Sequence, residues 1–68
     1  MRFELRFIYR PKPQPIRTET VIAPSVEEAK RVAKERLDEM ALRIAPPPDG
    51  VVLVNADTRE MVEIIERS

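Results

Sequence analysis

The sequence predicts an α+β fold, a four-stranded and mainly antiparallel sheet with one helix packed on one face, in the order β-β-α-β-β. Three observations carry that expectation. "RFELRFIYR" alternates apolar and charged residues at the N-terminal end. "PSVEEAKRVAKERLDEMALRIAPPPDG" holds a helix start, a long apolar stripe and a proline stop. Two short runs rich in Val and Ile, "VVLVN" and "EMVEIIE", follow with a turn between them. The connections are short, as neighbours in one sheet require.

In the first run, Phe3, Leu5, Phe7 and Tyr9 fall on one face. Arg2, Glu4, Arg6, Ile8 and Arg10 fall on the other. A period of two over this length means a strand with one buried face. The face bearing the aromatic residues is the expected core. "PKPQP" follows, and its three prolines cannot donate ladder hydrogen bonds, so it is expected to be a loop at a hairpin tip. "IRTETVIA" reads as the second strand on its β-branched content. Ile16, Thr18, Thr20 and Ile22 lie on one of its faces, and Arg17, Glu19 and Val21 on the other.

Ser25 is a good N-cap, and Glu28 three residues on completes a capping box. Glu27 and Glu28 lie in the first turn, where the helix dipole favours acids. Val26, Ala29, Ala33, Leu37, Met40, Ala41 and Ile44 recur every three or four residues and make one apolar stripe. Glu27–Arg31, Arg31–Glu35, Lys34–Asp38 and Glu39–Arg43 are opposite charges four apart, each worth a few tenths of a kcal/mol. Pro46, Pro47 and Pro48 stop the helix near residues 43–45. Asp49 and Gly50 then launch the third strand. Asp57 and Thr58 suit a turn by bonding their own backbone. In the last strand, Val62 and Ile64 lie opposite Met61, Glu63 and Ile65.

Sixty-eight residues suit a single domain. A chain this small buries only about 60% of the surface exposed by its unfolded form. It contains neither Cys nor His, so disulfides and Cys/His metal sites are closed to it. Stability is left to packing, short loops or a second subunit. The lack of Cys fits a cytoplasmic setting. No run approaches the roughly 18 apolar residues of a membrane span, and the alternating N-terminal stretch does not suit a signal peptide. Seven Pro with one Gly, one Asn and one Gln is a thermophile-like composition, equally produced by a GC-rich genome.

The formal net charge is zero, with 12 basic and 12 acidic residues. It is unevenly spread: residues 1–23 carry +3, residues 24–45 are balanced and residues 46–68 carry −3. The two ends can attract each other within the fold or between chains.

These features exclude more chemistry than they suggest. Without His or Cys, the usual general base and thiol nucleophile are missing. Ser25 is accounted for as a cap and Thr58 as a turn residue. Asp49, Asp57 and Glu60 match no calcium-loop spacing. One glycine cannot build a glycine-rich phosphate loop. No catalytic residue, metal site, cofactor or small-molecule substrate is expected. The proline segments lack a P-x-x-P pair and read as rigid loops.

The helix reads as a strut, because its outer face is electrically balanced while a nucleic-acid-reading helix carries excess Lys and Arg. The open sheet face is then the informative surface. It is expected to carry Arg2, Glu4, Arg6, Ile8 and Arg10, with Arg17, Glu19 and Val21 from the second strand. Met61, Glu63 and Ile65 join from the fourth, with either Val51 and Leu53 or Val52 and Val54 from the third. Arg with aliphatic residues is an interface composition. The expectation is a non-enzymatic protein-binding module whose contact centres on Arg6, Ile8, Arg10, Val21 and Ile65, as a homodimer or against another protein. The alternative is nucleic-acid binding by the first hairpin through Arg2, Arg6, Arg10, Lys12 and Arg17. Glu4 and Glu19 interrupt that patch, and no aromatic lies on it for stacking. The same element order occurs among small prokaryotic and phage accessory proteins, some of them inhibitors of a larger machine, which is an analogy of fold alone.

Overall fold

A computed structural model describes residues 1–9 and 12–67, with backbone alone over residues 12–16. Strand β1 is Arg2–Tyr9, β2 is Lys12–Ile22, helix α1 is Val26–Arg43, β3 is Gly50–Asn55 and β4 is Met61–Glu66. All strand pairings are antiparallel, and the sheet order is β2-β1-β3-β4. The expected α+β fold with one helix on one face is thus the observed one.

The core forms where the two periodicities meet. Phe3, Leu5 and Phe7 are fully buried, as are Val51 and Leu53 beside them on β3. Ala29, Ala33, Leu37 and Met40 supply the buried stripe of α1. Small residues at 29 and 33 let the helix approach the sheet, while Leu37 and Met40 fill the space further along. Each fully buried Leu or Phe contributes about 1.5–3 kcal/mol relative to exposure. Tyr9, at the end of β1, is half-buried and its hydroxyl donates to the Pro46 carbonyl.

The helix ends follow the sequence signals. Ser25 Oγ accepts from the Glu28 backbone N–H at 3.2 Å. Glu28 does not close the capping box with its side chain; it pairs with Arg31. The Arg31–Glu35 and Glu39–Arg43 pairs form as expected, at 2.5 Å and 3.2 Å. Lys30 takes Glu27 at 3.9 Å and reaches Glu63 on β4 at 3.3 Å.

Three further expectations are corrected. The proline segment is not all loop, because β2 begins at Lys12. An edge strand tolerates proline, since a missing N–H on its outer side breaks no ladder bond. Register shifts at Phe7/Ile8 and Ile8/Tyr9 absorb the irregular pairing.

Strand β2 is turned over relative to expectation. Phe3 pairs with Val21, Leu5 with Glu19 and Phe7 with Arg17. Paired residues share a face, so Arg17, Glu19 and Val21 lie on the helix side. Thr18, Thr20 and Ile22 face outward.

Strand β4 differs for another reason. Its pairing slips between Leu53 and Val54, so that Glu63 opposes Leu53 and Met61 opposes Val54. Val62 is the extra residue of a β-bulge, which breaks the alternation of period two. Val62 and Ile65 pack against the core, and Glu63 lies on that side too, against Lys30. Met61 and Ile64 point away. Opposite the other end of β4, Gly50 pairs with Glu66, and a Cβ at Gly50 would lie 2.8 Å from the Ile65 carbonyl oxygen.

Candidate protein-contact face

The sheet face away from α1 is built in rows across the strands. One row runs Thr20, Glu4, Val54, Met61, and the next runs Thr18, Arg6, Val52, Ile64. Arg2 and Ile22 lie at one end, and Ile8, Gly50 and Glu66 at the other. The β3–β4 half of the face is therefore an apolar quartet of Val52, Val54, Met61 and Ile64. The β1–β2 half is polar, apart from Ile22 at one end and Ile8 at the other.

Exposure concentrates there. Among the described residues, Ile22 is 79% exposed, Met61 60% and Ile64 49%, whereas the other exposed large apolar side chains are Met1 at 54%, at the N-terminal end, and Leu42 at 89%, on α1. Val54 is buried among its neighbours although it belongs to this outer face.

The charges on this face are already matched. Arg6 Nε donates to Glu4 Oε1 at 2.7 Å, and both side chains are partly buried. Arg2 reaches Asp57 in the β3–β4 turn at 3.3 Å. That turn is organised by Asn55, whose Oδ1 accepts from the backbone N–H groups of Asp57 and Thr58 at 2.9 Å and 3.2 Å.

The opposite side holds the strongest ion cluster. Arg36 on α1 donates to both carboxylate oxygens of Glu19 at 2.9 Å and 2.7 Å, and to Glu39 at 2.9 Å. Arg17 adds a contact to Glu19 at 3.3 Å. The hydrogen bond from Arg36, joined by the positive charges of Arg36 and Arg17, lowers the Glu19 pKa despite desolvation. Glu19 lies on the core-side face of an edge strand, and the helix supplies an arginine to it.

Of the sequence-predicted contact residues, Arg6 and Ile8 lie on the open face. Val21 and Ile65 do not, since they pack against the core from the helix side. Arg10 lies outside the described residues. Ile22 and Ile64 take the places that sequence reasoning gave to Val21 and Ile65, while Met61 lies on the open face as expected and β3 presents Val52 and Val54, one of its two expected pairs. The nucleic-acid set is not gathered on one surface. Arg2 and Arg6 are on the open face, each with an acid, while Arg17 is on the other face beside Glu19. Arg10 and the side chain of Lys12 lie outside the description. An open groove of about 640 Å³ also runs between α1 and β4, lined by charges of both signs from Glu27 to Asp38 and by Glu63, Ile64 and Ile65.

Among the described residues, no helix is long and apolar enough to cross a membrane. No family model, curated protein or solved structure matches this chain.

Proposed function

We propose that the chain is a small, non-enzymatic protein-binding module that acts sterically through its open sheet face. It occupies a surface on its own copy or on a larger assembly, as an accessory or inhibitory subunit does. One observation carries the reading. Val52, Met61 and Ile64 form an apolar patch around the buried Val54 on the sheet, bordered by a matched ion pair with threonines beyond it. An apolar centre with a polar rim is the anatomy of a protein–protein contact, and strands hold such a patch in fixed shape without ordering a loop on binding.

The rival reading, nucleic-acid binding by the first hairpin, has less support. A phosphate-binding surface needs arginines free to replace counterions, and here Arg2, Arg6 and Arg17 each face a carboxylate.

A photo-crosslinking residue placed at Thr20, on the open face, and separately at Lys34, on the outer face of α1, tests the reading in cells that express the protein. Protein adducts from position 20 are expected, with few from position 34. Adducts from position 34 alone would overturn the reading, and nuclease-sensitive adducts from position 20 would favour nucleic acid.

A further inference from the structure

The apolar quartet is confined to one half of the open face, and that placement bears on what covers it. A two-fold contact sets a surface patch against itself. A patch with net charge repels its copy, whereas a neutral patch with internally paired charges does not. The open face is of the second kind. The ions that border the quartet, Glu4 and Arg6, neutralise each other at 2.7 Å and are partly shielded already in the single chain. Covering them therefore removes less water than burying two free ions. The whole chain carries no net charge, so two copies are not held apart at longer range.

Size points the same way. Four strands spaced about 4.8 Å apart, with six to eleven residues each at about 3.3 Å, present roughly 500 Å² in plan. Side chains standing on that plane raise its accessible area towards the ~800 Å² that each partner contributes to a standard interface. A chain of 68 residues with no disulfide also gains most from a second subunit.

The edges fit less well. Strand β2 carries Pro13 and Pro15, which weaken an edge as a template. Strand β4 carries Glu63 and Glu66, with Glu60 just before it, so antiparallel pairing of two β4 edges brings acids together.

We infer that the open face is covered by a second copy of this chain, in a two-fold, sheet-on-sheet dimer centred on Val52, Val54, Met61 and Ile64. The inference rests on the reading of that face as the contact surface and names its occupant. The outward side chains of the two sheets interdigitate, with the Glu4–Arg6 pairs and the threonines at the rim.

Light scattering on a sizing column, over a range of concentrations, tests it with four proteins: the native chain, Ile64→Lys, Met61→Lys and Leu42→Lys. The native chain and Leu42→Lys are expected at twice 7.9 kDa. Ile64→Lys and Met61→Lys are expected at half that mass. Both substitutions fall on exposed side chains, and far-UV circular dichroism identifies a variant that has failed to fold, leaving the other to decide. A native monomer at the highest concentration overturns the dimer and leaves the contact reading to the crosslinking at Thr20. A dimer indifferent to both face substitutions places the contact elsewhere and also overturns the inference. If position 20 then yields no adduct, the contact reading falls with it.

Discussion

Arg59 is held at φ 65°, the left-handed region where an L side chain is strained. Its backbone N–H donates to the Asn55 carbonyl at 2.7 Å, so the turn between β3 and β4 requires that conformation. Glycine adopts it without a Cβ clash but loses more freedom on folding. The net effect expected for Arg59→Gly is a gain of about 0.5 kcal/mol, seen as a higher midpoint in urea. Glu19 gives a second residue-scale prediction. Its carboxylate is favoured in the folded state by Arg36, so its folded pKa lies below the ordinary value of 4.5. The stabilisation is complete above that ordinary value and is lost as the pH falls through the lowered folded one. Glu19→Gln is expected to cost about 1 kcal/mol near pH 7, allowing for the solvent contact of Arg36. It should also flatten the acid limb of stability against pH, which denaturant titrations from pH 7 to pH 3 would read. An unchanged acid limb would show that Glu19 does not couple to Arg36 in solution.

At the scale of elements, α1 is held by a narrow stripe, and Leu37 is its largest fully buried side chain. Leu37→Ala removes packing against the sheet without touching the outer face. A loss of about 2–5 kcal/mol is expected from the transfer and cavity terms together. In a domain of this size that is a large share of total stability, and thermal melting measures it. The helix and β1 were legible because a single periodicity governs each, and a wide apolar stripe or a strict alternation leaves one choice of face. The facing of β2 was not legible. Both of its faces mix polar and β-branched residues, and only the Arg36–Glu19 contact explains why an acid sits on the core side. The facing of β4 was hidden by one residue. Val62 is extra to the ladder, and a bulge reverses the face of every position beyond it, so Ile64 and Ile65 exchanged roles. The start of β2 was not legible as strand because its prolines exclude an interior strand but not an edge.

For the molecule as a whole, these two reversals change the candidate surface more than the fold. Exchanging Arg17, Glu19, Val21, Glu63 and Ile65 for Thr18, Thr20, Ile22 and Ile64 keeps the number of apolar residues on the open face and makes it less charged. The open face was identifiable from one helix and four strands alone, but its centre was not. The proposed dimer covers this face in solution and leaves the outer face of α1 bare. The most direct measurement is methyl NMR with a soluble paramagnetic agent, which broadens signals in contact with solvent. Leu42 serves as the fully exposed reference. The methyls of Met61 and Ile64 are expected to be protected in the native chain and to broaden when Met61→Lys or Ile64→Lys alters the neighbouring position. Broadening of Met61 and Ile64 in the native chain to the same degree as Leu42 would contradict it.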